Sequence, residues 1–395
     1  MMSKKSPQLR FEGFTDDWEE RKLSDVANHR GGTAIEKYFD KDGVYKVISI
    51  GSYGLNSQYV DQNIRAISNK ITDGRVVNSG ELTMVLNDKT ANGTIIGRSL
   101  LVEKDNEYVI NQRTEIISPK ENFDSNFAYT ILNGPFREKV KRIVQGGTQI
   151  YVNYPAVSNL NLELPKIEEQ QKIGSFFKQL DDTIALHQRK LDLLKEQKKG
   201  FLQKMFPKNG AKVPELRFAG FADDWEERKL SDIADRFDNL RVPITASDRK
   251  PGDTPYYGAN GIQDYVEGFT HNGEFILVAE DGANDLKNYP VQYVNGKVWV
   301  NNHAHVLQGK KTITDNKFLM NAIKNFNIEP FLVGGGRAKL NADVMMKLNI
   351  LLPTFVEQEK IGSLFSLLDK TIALHQLKLD LLKEQKKGFL QKMFA

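Results

Sequence analysis

Residues Lys190–Phe206 read KLDLLKEQKKGFLQKMF, and the same seventeen residues stand unaltered at Lys378–Phe394. Upstream the two copies stay in register, Ile173 answering Ile361 and His187 answering His375, so the repeated stretch runs from Glu168 to Phe206 and from Val356 to Phe394. In the first copy Ile173, Phe177, Leu180, Ile184, His187, Leu191, Leu194, Lys198, Phe201 and Met205 fall at alternating steps of four and three. A hydrophobic period of about 3.5 residues is the seam of a left-handed coiled coil. The second copy sets Ile361, Phe365, Leu368, Ile372, His375, Leu379, Leu382, Lys386, Phe389 and Met393 in the same steps.

A lone helix would leave this stripe in water, and matched spacing makes each copy the natural partner of the other. Antiparallel pairing lets the segment between the helices close as a compact domain, with the segment before the first helix at the other end. Each helix would span roughly 58 Å at about 1.5 Å per residue. Parallel pairing would instead require the middle segment to run back along the whole helix. The seam carries polar members, His187 and Lys198, His375 and Lys386. Such residues fix register at some cost in stability, or the lysines snorkel to solvent. Gly200 and Gly388 interrupt the helices, which marks either a close backbone approach or fraying.

The 395 residues are enough for two or three domains, and 40% hydrophobic with 27% charged residues is the composition of an ordinary globular protein. A formal net charge of +4 is compatible with nucleic-acid binding without arguing for it. With no cysteine there are no disulfides, thiolate metal sites or cysteine nucleophiles. The polar start MMSKKSPQLRFEGF and the lack of a long apolar run predict a cytoplasmic protein without membrane association.

A second repeat opens each half: LRFEGFTDDWEERKLSDVA from Leu9 to Ala27, and LRFAGFADDWEERKLSDIA from Leu216 to Ala234. Ser24 and Ser231 are expected N-caps of a short helix there. The insert from about His29 to Pro165 reads as short strands (VYKVISI, ELTMVL, GTIIGRSLLVE, YVINQRTEIIS), a helical piece from Asn126 to Val144, a Gly146-Gly147-Thr148-Gln149 turn and an alternating strand into the long helix. The second insert has the same order in other words: TPYYGANGIQDYV, EFILVAEDGAND, YPVQYVNGKVWVNNHAHVL, a helix from Asn316 to Phe326, then Gly334-Gly335-Gly336-Arg337 and a final strand. A constant frame holding unlike inserts suggests a reader of two different targets at a fixed separation.

Catalytic signatures are absent. No phosphate-binding G-x-x-x-x-G-K-[ST] loop and no G-x-S-x-G elbow occurs. Glu196-Gln197-Lys198 and its copy lie on the coiled coil, where a solvated face explains them. His303-Ala304-His305 places two imidazoles two residues apart, but no carboxylate or third histidine stands at a supporting spacing, so no metal site is expected. The residue types suited to DNA cluster in turns and strand ends: Lys89, Asn111, Gln112, Arg113, Thr148, Gln149 and Tyr151 in the first half, and Tyr257, Asn260, Asn302, His303, Arg337, Lys339 and Asn341 in the second. Lysine, arginine and glycine amides meet phosphates, while asparagine, glutamine and arginine read base edges in pairs.

The duplicated P-x-x-x-E-Q-x-K-I-G-S-x-F-x-x-L-D-x-T-I helix starts (Pro165–Ile184, Pro353–Ile372), the W-E-E-R-K-L-S-D openings, and the YYGANGI and NNHAHVL segments together resemble the specificity subunit of type I restriction-modification enzymes. The resemblance covers essentially the whole chain and rests on arrangement more than on any one motif. It implies an α+β fold with two mixed α/β target recognition domains separated by an antiparallel two-helix coiled coil, a tandem repeat with pseudo-two-fold symmetry. The expected boundaries are a first recognition domain at 1–165, a spacer helix at 166–206, a linker and second recognition domain at 207–353, and a second spacer helix at 354–395. It further implies a non-catalytic chain that reads a split, asymmetric sequence in double-stranded DNA. The helices would dock two methyltransferase subunits, and restriction or motor subunits join the complex. No cofactor is expected on this chain; S-adenosylmethionine, ATP and magnesium belong to the partners.

Overall fold

The computed structural model describes residues 7–208, 210–334 and 338–394. They form two compact units, one comprising Met1–His187 with Leu379–Ala395, the other Gln188–Lys378. Two long helices, Ile167–Lys204 and Phe355–Met393, each give one half to each unit.

Inside the first unit the helix segments are antiparallel: Phe177 lies against Phe394 at 6.1 Å, and Asp181, four residues on, pairs with Lys386, eight residues back. The second unit repeats the contact with roles exchanged, Lys198 pairing with Asp369 and Phe206 lying 6.0 Å from Phe365. The seam is therefore a real one. Ile173, Phe177, Leu191, Leu194, Ile361, Phe365 and Leu379 are buried, while Leu180, Ile184, Leu368, Ile372 and Leu382 are half-buried, as a two-stranded coil leaves its flanks open. Its two lysines do not run free into solvent. They are tied to aspartates of the facing helix, a reciprocal pair of contacts that fixes register.

The repeated helix start is a joint. Gln170 accepts from Asp124 N (3.0 Å) and donates to Asn122 O (3.1 Å) and Pro165 O (2.9 Å); Gln358 does the same with Asp315 N, Ile313 O and Pro353 O. Glu169 takes both arms of the Arg10 guanidinium at 2.7 Å, and Glu357 holds Arg217 likewise at 2.7 and 2.8 Å. Trp18 meets Phe127 and Phe394 edge-on in one unit, and Trp225 meets Phe318 and Phe206 in the other. Leu9 N donates to Lys392 O, as Leu216 N does to Lys204 O, both at 2.9 Å. So the openings and helix starts are constant because they are two faces of one contact.

Gly174 and Gly362 sit in that contact. A Cβ on Gly174 would lie 2.6 Å from Phe127 N, and one on Gly362 2.9 Å from Phe318 N, where helices Ser125–Asn133 and Asn316–Asn325 begin. Gly200 and Gly388 meet nothing within 4 Å, so no close approach explains them. Gly174→Ala is therefore expected to cost about 1–3 kcal/mol by overpacking. Gly200→Ala should instead gain up to ~1 kcal/mol from helix propensity. Thermal melts of the two variants, in opposite directions, check this.

The inserts are curled sheets. In the first unit the strand order is Ala27–Gly31, Thr114–Pro119, Leu82–Val85, Ser99–Leu101, beside a second sheet in which Tyr45–Ile48 and Tyr108–Ile110 run parallel. The second unit has one six-stranded sheet, Ala234–Arg236, Ala304–Gly309, His271–Ala279, Val291–Val300, Pro251–Gly258, Gly261–Val266, with a parallel pairing between Pro251–Gly258 and Val291–Val300. Alternation decides the faces: Phe275 and Leu277 enter one core with Val294 and Val306, Ile276 and Val278 the other with Phe318 and Leu319.

Several boundaries differ from expectation. The short helices begin at Leu23 and Leu230, so Ser24 and Ser231 are not caps; in the first, Asp25 accepts from Lys22 N (3.0 Å) instead. Helix Asn126–Val144 is broken at Gly134 into Ser125–Asn133 and Pro135–Lys141. Of GTIIGRSLLVE only Ser99–Leu101 is a strand, and YVINQRTEIIS is two strands parted by a turn at Asn111–Arg113, where Arg113 takes φ +69°.

Candidate nucleic-acid interface

In the first unit the glycine-rich turn is a hairpin. Gln145 and Tyr151 exchange two backbone bonds at 2.9 Å, Gly146 takes φ +100°, and Gly146, Gly147, Thr148 and Gln149 are all exposed. Strand Ile150–Tyr151 pairs with Asn87–Asp88, which brings Lys89 beside Gln149. Leu86 then links both neighbours, donating to Arg113 O and accepting from Val152 N, each at 2.9 Å. Lys89, Gln112, Arg113, Thr148, Gln149 and Tyr151 thus share one rim.

Asn111 does not present its side chain there. It is 8% exposed, accepts from Ile35 N and donates to Glu36 Oε1, which Gln112 also reaches at 2.9 Å. Its role is to fold the turn.

The second unit builds the same rim from other residues. Val333 and Lys339 exchange two backbone bonds, at 2.9 and 2.8 Å, and Lys339 also forms a β-bridge with Asp281. Glu280 N donates to His303 O (2.8 Å), His303 Nδ1 meets Asp281, and Asn260 clasps the loop by donating to Gly282 O and accepting from Asn284 N. Asn260, Asn302, His303 and Lys339 are brought together around residues 280–284. Tyr257 is packed into the sheet core, where burial pushes its hydroxyl up, and Asn341 stands at the N-cap position of helix Ala342–Met345. Arg337 lies outside the described residues.

Beneath this rim lies a charge network that spacing along the sequence did not reveal. Asp238, Glu280 and His305 offer ligand atoms within 4.8 Å of one another. All three are already committed. His305, 1% exposed, has Nδ1 2.7 Å from Asp238 and Nε2 2.8 Å from Leu340 O, so both ring nitrogens already face oxygen partners. Arg241 reaches Glu280 (2.6 Å) and Ala304 O (2.9 Å), and Lys339 Nζ reaches Glu280 at 2.9 Å. Burial pushes the Asp238 and Glu280 carboxyls up, but His305 on the first and Arg241 with Lys339 on the second hold both below their ordinary range. The network ties together the bases of four loops. His303 and His305, two residues apart, serve different acceptors.

Both rims carry polar residues on turns at the sheet ends, residue types suited to base edges and phosphates. The sequence profile of the family described as type I restriction modification DNA specificity domain matches residues 15–196 and 222–384, once across each half. The chain belongs to this family. Each match pairs a curled-sheet insert with most of a long helix, which is the repeating unit seen in the structure.

Among curated relatives, this specificity-domain chain is 44% identical over 154 residues to a putative type I restriction enzyme specificity subunit of Haemophilus influenzae, covering 39% of each chain. It is 27% identical over 191 residues to the MjaVIII specificity subunit of Methanocaldococcus jannaschii, covering 47% of this chain and 44% of that one. These matches span less than half of each relative. The S subunit of a type I restriction-modification system from M. genitalium superposes with a TM-score of 0.74 over 99% of both chains, at 15% identity, and shows the same fold. No helix among the described residues is long and apolar enough to cross a membrane.

Sequence reading missed Glu280, Asp281, Asp238 and Arg241 at the second rim and Asp88 at the first. Asp88 had a local signal: it accepts from Thr90 N and Ile95 N, an Asp-led turn ahead of Asn92-Gly93.

Proposed function

We propose that this chain is the specificity subunit of a cytoplasmic type I restriction-modification complex, reading a bipartite, asymmetric DNA target and carrying no catalysis itself. The observation that supports this best is the same hairpin rim built twice on one frame, with Lys89, Gln149 and Arg113 on the first and Lys339, His303 and Asn302 on the second. Equal scaffolds with unequal tips read unequal half-sites. Methyl transfer by S-adenosylmethionine, and restriction driven by ATP and magnesium, would belong to the methyltransferase and motor subunits.

The long helices supply a docking surface for those partners. Leu367, Leu374 and Leu381 recur every seven residues on the second helix and are 64%, 66% and 56% exposed, and Leu186 and Leu193 of the first helix are 65% and 62% exposed. Heptad-spaced leucines outside the seam are suited to a further helix. Leu374→Lys is expected to reduce co-purification of the methyltransferase subunit at least tenfold while leaving the melting temperature of the chain unchanged, since it removes no buried contact.

The deciding experiment is to sequence modified adenines in DNA methylated by the reconstituted complex. Two short unlike motifs at a constant gap support the reading. A single continuous palindrome, or methylation by this chain alone, overturns it.

A further inference from the structure

Two residues beyond Ala27, where the first opening ends, stands His29; two beyond Ala234, where the second ends, stands Arg236. Both lie on the edge strand of their sheet, His29 opposite Ile117 and Arg236 opposite Leu307. One place in the repeated frame thus carries two different side chains, 56% and 38% exposed. Each is nevertheless held. His29 Nδ1 lies 2.6 Å from Glu115 Oε1, and Arg236 Nη1 donates to Asp238 Oδ2 at 3.2 Å. Both carboxylates are only 8% exposed. The first comes from the facing strand Thr114–Pro119, the second from two residues further along the same chain, so the device is alike and its parts are not.

Both places adjoin the rims. Gly32 N donates to Thr114 O and Thr33 bridges to Asn111, so the strand of His29 runs on into the Asn111–Arg113 turn. The imidazole lies on the Tyr154 ring, centroids 4.5 Å apart, and Tyr154 opens the helix that follows strand Ile150–Tyr151. In the second unit Asp238 is 2.7 Å from His305, two residues from His303 of the rim.

Taking a carboxylate out of water is costly, and a half-exposed imidazole offsets little of that cost. Burial pushes the Glu115 carboxyl up, with His29 opposing. Main-chain pairing along Ala27–Gly31 already sets the strand register, so Glu115 is not needed for it. What the pair does set is the direction of the ring. With Nδ1 at Glu115 and one face on Tyr154, Nε2 is the edge left over, and no hydrogen bond engages it among the described residues. The phosphate backbone is the same in both half-sites, so a phosphate contact favours the same residue in both repeats. Bases differ between half-sites, and here so do the residues.

We propose that His29 and Arg236 are specificity-determining residues, each contacting a base edge of its own half-site, and that Glu115 and Asp238 beneath them are positioning residues. This rests on the DNA-reading function proposed above and adds to each rim one reader from the strand that leads into it.

The test is selection by the assembled complex from duplexes randomised at both half-sites, with melting of each variant chain alongside. His29→Ala is expected to relax preference at one base pair of the first half-site by roughly fivefold or more, and Arg236→Ala at one of the second by roughly tenfold, each sparing the other half. Glu115→Gln, which keeps the volume and an acceptor but not the charge, should relax the same base pair as His29→Ala. The double variant should then be no worse than His29→Ala alone, because Glu115 acts through the imidazole. Unchanged preference in His29→Ala or in Arg236→Ala, or a lower melting temperature as the only change, overturns the proposal. So does a uniform loss of affinity with the slope of log K against log salt lowered by about 0.9, the mark of a phosphate contact. A further loss on adding Glu115→Gln to His29→Ala overturns the positioning role. If the wild-type complex selects no sequence, it is the proposed function that fails.

Discussion

Glu169→Ala destabilises the first unit by about 3–5 kcal/mol, and Glu357→Ala does the same to the second. The reason is what remains. Arg10 and Arg217 side chains are only 12% and 10% exposed and their partners 1% and 0%, so removing the carboxylate leaves a guanidinium dry and unpaired. The Nη1 of both arginines is already buried without a hydrogen-bond partner. Bonding to Glu169 raises the Arg10 pKa, and bonding to Glu357 raises that of Arg217. Replacing both members by apolar residues, Arg10→Met with Glu169→Leu, should recover most of the loss, since burial of the charges offsets much of their attraction. Urea denaturation of the single and double variants measures it. A single-variant loss under ~1 kcal/mol, the value of a surface pair, would show that this joint does not hold the helix to its unit.

The helices were legible because ten seam positions, seven of them Ile, Phe or Leu, admit one periodicity, and because two copies of the seam name each other as partners. What the seam could not show was who answers its lysines. Asp181 and Asp369 stand off the stripe, and only antiparallel facing brings them to Lys386 and Lys198. The P-x-x-x-E-Q and I-G-S motifs were recognisable as a pattern without a cause. Their cause is long-range: Gln170 and Glu169 are spent on Asp124, Asn122 and Arg10, far away in sequence.

The rims were half legible. Glycine turns and nearby Lys, Gln and Arg located the hairpins, yet Asn111 is a bracket rather than a contact, and a sequence cannot tell a buried amide from an exposed one of the same spelling. The cluster of Asp238, Glu280 and His305 shows the converse. No spacing joins residues from three separate strands and turns, and once joined they also need Arg241 and Lys339 to be understood as a salt network.

Modular reading leads to the second large effect. Gly146→Val should abolish discrimination at one half-site and leave the other intact. At φ +100° a β-branched side chain is strained, and its Cβ would run into the Gln149 carbonyl across the turn, so the tip carrying Thr148 and Gln149 must move. Each good paired base contact is worth about 1–3 kcal/mol of discrimination, so losing two would lower preference for the correct half-site by roughly thirtyfold or more. The strain falls on an exposed hairpin, so the melting temperature should shift little. The mirror change, His303→Ala with Lys339→Ala, should relax the other half-site alone. Selection of bound duplexes from a library randomised at both half-sites gives both answers in one measurement. If Gly146→Val relaxed both half-sites together, the two rims would not be separate readers, and the doubling of the frame would need another explanation.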